Sequence, residues 1–167
     1  MSRRPARPGE GPSTPATVAL DRAGLPYVRH TYDHDPSTAS FGLEAATALG
    51  VPPARVFKTL LVDLGSGLAV GIVPVDGSLD LKAIAAALGV KSVTMADPRS
   101  AERATGYVVG GISPVGQKRR LPTILDASAL DHPTVFVSGG RRGFDLELAP
   151  VVLVEATGAD TASIGRP

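Results

Sequence analysis

The chain contains no cysteine and no tryptophan, and aromatic residues make up only 4% of its 167 residues. Without cysteine there is no disulfide, no thiolate metal site and no cysteine nucleophile, and nothing favours an oxidising compartment. No window reaches the roughly 18 apolar residues of a membrane span, and no apolar stretch of signal-peptide length follows the basic N-terminus. We therefore expect a cytoplasmic protein that has no membrane partner.

The remaining composition predicts one folded domain. Apolar residues make up 43% of the chain and charged residues 20%, which suits a single core of Val, Leu, Ile and Ala. Residues 1–13 are rich in Arg, Pro and Gly, so we expect a flexible tail there and a folded domain over residues 14–167. The formal net charge of +1 is unlike that of a histone-like protein and gives no reason to expect DNA as a partner.

Basic residues are nevertheless clustered in one part of the chain. From residue 99 to residue 142 there are seven basic residues against three acidic ones. The basic residues are Arg99, Arg103, Lys118, Arg119, Arg120, Arg141 and Arg142. This local excess is compatible with binding to a phosphate backbone, and an ordinary solvated surface explains it equally well.

Capping and turn signals divide the domain into helices and strands. N-cap residues, prolines in the first turn and glycine stops predict helices over 15–23, 41–49, 79–88, 98–105 and 150–157. Runs rich in β-formers predict strands over 26–32, 56–64, 68–75, 90–95, 107–111 and 121–125, and a second hairpin across 138–143. Because hairpins outnumber parallel crossovers, we expect an α+β domain with a mixed, largely antiparallel, curved sheet partly covered by helices.

Two features of these elements could carry chemistry. Lys58 lies in the apolar strand VFKTLLV, where a buried ammonium is costly unless it reaches water or an anion. An edge-strand lysine that blocks aggregation is the alternative explanation. Residues 110–114 (GGISP) form a glycine-rich bend after a strand, whose N–H groups could face a ligand oxygen, although a plain turn is the commoner use.

Other polar residues give weaker indications. The spacing of His30 and His34 suits two zinc ligands only on a helix, but the residues around them predict a strand and a turn. We therefore expect one partly buried and one exposed histidine and no metal. His132 has no Ser and Asp pattern around it. Asp145 lies beside a basic turn, where an ordinary ion pair would explain it.

Several longer runs, taken together, resemble the YbaK family in order and spacing over about residues 14–157. They are HTYDHDP at 30–36, SFG at 40–42, VFKTLL at 56–61, TGYVVGGISPVGQKRRLPTILDA at 105–127 and VSGGRRGFDLELA at 137–149. The resemblance implies the prolyl-tRNA editing fold, related to the insertion domain of bacterial prolyl-tRNA synthetases. It also implies removal of cysteine wrongly attached to proline tRNA, without a cofactor.

The resemblance implies site residues as well. The catalytic residues would be Lys58, Gly110, Ser113 and Pro114, with the 110–114 backbone holding the ester carbonyl and Lys58 binding the terminal nucleotide. The substrate pocket would comprise Tyr32, Phe41, Thr59, Gly111, Ile112 and Asp145. The acceptor end of tRNA would follow Lys118, Arg119, Arg120, Arg141 and Arg142, and prolyl-tRNA synthetase would be a transient partner.

The chain offers no cysteine and no convincing Ser-His pair, and the family mechanism implied by the resemblance needs neither. In it the thiol of the substrate cysteine attacks its own ester, a step that tethering makes effectively intramolecular. Two alternatives stay open. One is a deacylase that uses water to hydrolyse alanyl-tRNA or another small aminoacyl-tRNA, and the other is a non-catalytic module that binds tRNA or a synthetase.

Overall fold

Five α-helices, two larger β-sheets and a two-stranded ribbon are present in residues 7–9, 11–38 and 40–167, the part of the chain that the computed structural model describes. The helices are α1 (Pro15–Ala23), α2 (Phe41–Leu49), α3 (Leu81–Leu88), α4 (Pro98–Thr105) and α5 (Pro150–Thr157). The strands are β1 (Arg7–Pro8), β2 (Val28–Thr31), β3 (Phe57–Asp63), β4 (Leu68–Pro74), β5 (Ser78–Leu79), β6 (Thr94–Met95), β7 (Thr123–Asp126), β8 (Val135–Arg141), β9 (Phe144–Leu148), β10 (Asp160–Ala162) and β11 (Gly165–Arg166). Two 3-10 helices cover Pro53–Arg55 and Ala127–Asp131.

The two larger sheets have different strand directions. The first has the order β1-β2-β9-β8 and is antiparallel throughout. The second has the order β10-β7-β4-β3-β6 and combines antiparallel pairs with the parallel pairs β10-β7 and β4-β7. A parallel bridge between Val56 and Phe136 joins the two sheets. The expected α+β class with mixed, largely antiparallel strand pairing is confirmed, although the described strands form two larger sheets and a ribbon instead of one sheet.

The helix ends follow from local chemistry. Thr14, Ser40, Asp80 and Asp97 each accept a hydrogen bond from a backbone N–H of the first turn of α1, α2, α3 and α4. Each of the five α-helices ends at a glycine in the left-handed region, where a side chain would be strained. Helices α1, α2, α4 and α5 therefore have the predicted bounds.

Three apolar clusters fix the helices on the sheets. The largest contains Leu20 of α1, Phe144 and Leu146 of β9, and Leu153 of α5. A second one packs α3 on the mixed sheet. The third holds α2 against both sheets and is built from Ala45, Ala46, Val56, Val75 and Phe136. Because α2 is anchored where the sheets join, its first turn has a defined position beside the site described below.

Some elements differ from their predictions. The predicted strand over 90–95 is reduced to β6, and residues 107–111 form a loop. The loop is stabilised by side chains, because the Tyr107 hydroxyl donates to the Val115 carbonyl at 2.7 Å. Strands β10 and β11, after α5, were not predicted. Most of the predicted tail, residues 1–6 and Glu10, lies outside the described residues, while Arg7–Pro8 pairs with β2.

Within the described part of the chain, no helix is both long enough and apolar enough to cross a membrane.

Candidate functional site

A cleft of about 400 Å³ lies where the two larger sheets approach the start of α2. One wall is β3 with Val56, and the opposite wall comes from β8 and β9 through Ser138, Arg141 and Asp145. The remaining lining includes Tyr32, the first turn of α2, residues around the start of α4, and Val109, Gly110 and Ile112. A volume of this size accommodates a small ligand.

Lys58 borders the cleft from β3. Strand β6 pairs only with Val62 and Asp63 of that strand, so the stretch that contains Lys58 is an edge. The edge faces the cleft, and the Lys58 ammonium donates to the Gly77 carbonyl at 2.7 Å. Burial lowers the pKa of Lys58, an effect that Asp76 opposes. An ammonium has three N–H donors, so two remain for a ligand.

Thr59 also lines the cleft, and its hydroxyl is unsatisfied. Thr59 Oγ1 is buried without a hydrogen-bond partner among the described residues. A buried hydroxyl without a partner carries a free-energy cost that a bound ligand could relieve. Thr59 is thus a candidate contact for a polar ligand group.

Asp145 is a buried carboxyl group at the base of the site. Its exposed fraction is 5%, and the Tyr32 hydroxyl is hydrogen-bonded to it. Burial raises the pKa of Asp145 to about 7, against the lowering effect of the Tyr32 hydrogen bond. Burial and the nearby charges of Asp145 and Glu44 raise the pKa of Tyr32 in turn. The Asp145 carboxyl can therefore change its protonation state near neutral pH, while the Tyr32 hydroxyl stays protonated.

The ion pair suggested from sequence for Asp145 is wrong. Neither Arg141 nor Arg142 forms a salt bridge with it in the described residues. The register of the β8-β9 hairpin shifts between Ser138 and Arg141, and both arginines are exposed while Asp145 points inward.

Because the fold raises the pKa of Asp145, the free energy of unfolding should depend on pH. A carboxyl group that binds its proton more tightly when folded stabilises the protein below about pH 4, and this contribution is lost as the pH rises through about 7. The whole loss is up to about 4 kcal/mol, since one pKa unit corresponds to about 1.36 kcal/mol. In Asp145→Asn the loss should be absent. Thermal unfolding of both proteins between about pH 4 and pH 8 checks this, and parallel pH profiles would contradict it.

The glycine bend divides into residues that line the cleft and residues that support it. Gly110, at a φ of 91°, and Ile112 belong to the lining. Gly111, Ser113 and Pro114 are buried and are not among the lining residues. The Ser113 hydroxyl accepts a hydrogen bond from the Val115 N–H at 3.2 Å and is hydrogen-bonded to Tyr107. Ser113 therefore lies behind the bend.

The basic residues do not form one surface. Arg141 lines the cleft. The guanidinium of Arg142 donates to the Val109 carbonyl and stacks on the Phe41 ring. Lys118, Arg119 and Arg120 are exposed beyond the cleft lining, where the backbone N–H groups of the first two bind carbonyls at the end of α4.

The two neighbouring histidines each have a carboxylate partner. His30 Nε2 is 2.9 Å from Glu147 Oε1, and His34 Nδ1 is 2.8 Å from Glu44 Oε1. Both are partly buried, so the expectation that one is exposed is wrong. Neither lines the cleft, and the described residues contain no group of three or more potential metal ligands.

Ser138 is a lining residue that the sequence reasoning missed. It is directly opposite Asp145 in the β8-β9 pair, so the two side chains share one face of the sheet. The sequence predicted the hairpin that contains Ser138. The pairing register that places Ser138 opposite Asp145 became known only from the structure.

Comparison with known proteins identifies the family. Residues 35–156 match the model of the aminoacyl-tRNA editing domain. The chain belongs to this family. It is 40% identical over 120 residues to EbsC of Enterococcus faecalis, named as a candidate Cys-tRNA(Pro)/Cys-tRNA(Cys) deacylase, and the match covers 71% of this chain and 73% of EbsC.

Two further proteins are similar to this editing domain. A proline–tRNA ligase of Moorella thermoacetica is 36% identical over 103 residues, which are 62% of this chain and 18% of the ligase. A crystal structure described as a candidate trans-editing enzyme for prolyl tRNA synthetase has a TM-score of 0.79 at 27% identity, covering 94% of this chain and all of that one. The resemblance to the YbaK family noted from the sequence is confirmed.

Proposed function

We propose that this editing domain is a trans-acting deacylase that removes cysteine from mischarged Cys-tRNA(Pro) in the cytoplasm. The observation that carries the proposal is a small cleft bordered by a half-buried lysine and a glycine bend, in a chain of the aminoacyl-tRNA editing family. The name of the Enterococcus faecalis relative supports cysteine as the amino acid. The test is hydrolysis of a panel of charged tRNAs by the purified protein.

The cleft lining suits a reaction in which the substrate supplies the nucleophile. Its described serines, Ser40 and Ser138, have no histidine beside them in the lining, so neither forms the Ser-His pair of a serine nucleophile. In the proposed step the cysteine sulfur bonds to its own ester carbonyl carbon and the bond to the ribose oxygen breaks. A thiolactone forms, and the thiol proton passes to the leaving tRNA hydroxyl.

We assign roles to the residues from their positions. The backbone at Gly110 and Ile112 is near enough to the cleft to hold the ester carbonyl and the α-amino group, while Ser113 and Pro114 support it from behind. Lys58 binds the ribose or phosphate of the terminal nucleotide with its remaining N–H donors. Tyr32, Phe41, Thr59, Gly111 and Asp145 shape and support the pocket.

One observation favours a second candidate, the deacylase that uses water. Asp145 lines the cleft beside Ser138, and its pKa of about 7 is suited to general base catalysis at neutral pH. In that mechanism Asp145 would accept a proton from water, and alanyl-tRNA or seryl-tRNA would be hydrolysed as readily as cysteinyl-tRNA. The substrate comparison in the Discussion distinguishes the two mechanisms.

The tRNA partner is proposed to bind through its acceptor end. Arg141 is an exposed residue of the cleft lining, and Lys118, Arg119 and Arg120 provide further exposed positive charge. Phosphate contacts fix position and carry no direct sequence information. Selectivity for proline tRNA would then come from a transient complex with prolyl-tRNA synthetase.

This origin of selectivity predicts that the protein alone does not distinguish tRNAs. Cysteinyl-tRNAs with proline and cysteine anticodons should lose cysteine at rates within about threefold of each other, because the contacts carry little sequence information. Added prolyl-tRNA synthetase should favour the proline tRNA. Deacylation rates of both substrates, with and without the synthetase, check this. A strong intrinsic preference for the proline tRNA would contradict it.

A further inference from the structure

Val109 precedes the glycine bend and is held at both of its backbone polar groups by charged side chains. Its N–H donates to Glu102 Oε2 of α4 at 2.9 Å. Its carbonyl accepts from Arg142 Nε at 3.2 Å and from Arg142 Nη2 at 2.6 Å. Hydrogen bonds to ionised groups are about twice as strong as neutral ones. Glu102 and Arg142 thus hold one peptide segment from two sides.

Arg142 also connects this segment to α2. Its guanidinium carbon is 4.7 Å from the centre of the Phe41 ring, a cation–π distance. A Cβ atom added to Gly110 would be 2.6 Å from Arg142 Nε and 2.9 Å from the Phe41 ring. The bend, the arginine and the phenylalanine are therefore packed without space for another atom, and Gly110 and Phe41 both line the cleft.

Apart from the buried Tyr107 at its start, the loop has few contacts that fix it. Val108 and Val109 are exposed by 58% and 38%, and residues 107–111 have no strand partner in the described structure. One backbone hydrogen bond, from Gly111 N–H to the Val108 carbonyl at 2.9 Å, closes the turn. The position of Gly110 in the cleft consequently depends on side chains from outside the loop.

We propose that Glu102 and Arg142 are positioning residues that clamp the Val109 peptide and so fix Gly110 against Phe41 in the cleft. This role replaces the phosphate contact expected for Arg142, since its guanidinium is already bound to the protein. The inference rests on the proposed deacylation for its kinetic effect. Its structural part, the fixing of the loop, does not depend on that function.

The test exploits the opposite charges of the two residues. Arg142→Ala, Arg142→Lys and Glu102→Ala should each lower kcat for Cys-tRNA(Pro) roughly tenfold to 100-fold, because small displacements of a positioning group have effects of this size. KM and its salt dependence between about 50 and 200 mM should change little. A tRNA phosphate contact gives another pattern. If Arg142 contacted a tRNA phosphate, Arg142→Lys would stay active, and Arg142→Ala would raise KM and lower the slope of its salt dependence by about one. Glu102→Ala would bind tRNA equally well or better. That pattern would overturn the proposal.

Hydrogen exchange of residues 107–112 provides a readout that does not require activity. The same three variants should exchange these amides faster than the wild type, while Lys91→Ala, which removes an exposed charge outside the cleft lining, should not. The melting temperature should shift by no more than about 4 °C, because the hydrogen bonds that the variants lose are exposed to solvent. An inactive wild type with loosened loops in the variants would refute deacylation and leave the clamp intact. Unchanged exchange would refute the clamp.

Discussion

Cysteinyl-tRNA should be deacylated at least about 100-fold faster than seryl-tRNA on the same tRNA body. The two amino acids are close in shape, but a serine hydroxyl is a weak nucleophile without an adjacent base, and a general base contributes about 100-fold or more. A thiolate is a strong nucleophile even as a minority species, with a reference pKa of about 8.5. The measurement is the release of labelled amino acid from each charged tRNA by the wild-type protein.

Two further substrates serve as controls for this prediction. The alanyl group is small enough to enter the cleft and lacks a side-chain nucleophile, and S-methyl-cysteinyl-tRNA keeps the sulfur but cannot form a thiolate. Both should be nearly inert. If alanyl-tRNA or seryl-tRNA were cleaved as fast as cysteinyl-tRNA, water would be the nucleophile. In that case Asp145, with its pKa of about 7, would be the candidate base.

Replacing Lys58 by alanine should lower kcat/KM for Cys-tRNA(Pro) by at least about 100-fold, the effect of losing one well-placed donor in a catalytic site. The reason is that Lys58 lines the cleft and that its ammonium has a single hydrogen-bond partner in the described residues, the Gly77 carbonyl. The folded state loses only that hydrogen bond, which is worth about 1 kcal/mol, so the melting temperature should fall by about 4 °C or less.

Lys82→Ala is the matched control for this variant. Lys82 is an exposed lysine on α3 that is not part of the cleft lining, so its loss should leave both activity and stability close to those of the wild type. Full activity of Lys58→Ala would remove Lys58 from the site. A large loss of stability in Lys58→Ala would show instead that the lysine is mainly structural.

Elements whose ends depend on neighbouring residues could be predicted from the sequence. Helix α1 begins after Thr14 and ends before Gly24 as predicted, because the cap and the glycine act on neighbouring residues. The hairpin of β3 and β4 was predicted from two apolar runs around Gly65-Ser66-Gly67 for the same reason. Among the residues of the candidate site, Lys58 could be singled out from the sequence because it is a charged residue in an apolar strand.

Relationships between distant segments could not be predicted in this way. The contact of Arg142 with the Val109 carbonyl joins residues 33 apart in the sequence, and the Tyr32 hydrogen bond to Asp145 depends on the β2-β9 pairing. Arg141 and Arg142 are adjacent in a basic run, and only the turn geometry gives them different surroundings. The loop at 107–111 resembled a strand because its residues are β-formers, but it lacks a neighbouring strand with which to pair.

A cysteine-editing deacylase must remove cysteine from proline tRNA and spare the correct amino acid. This is measured most directly as the rate at which the purified protein releases labelled cysteine from Cys-tRNA(Pro) and labelled proline from Pro-tRNA(Pro). We expect rapid release of cysteine and no release of proline above the spontaneous rate, because proline has no thiol to attack the ester. Failure to release cysteine would contradict the proposed function and leave a non-catalytic module that binds tRNA or a synthetase.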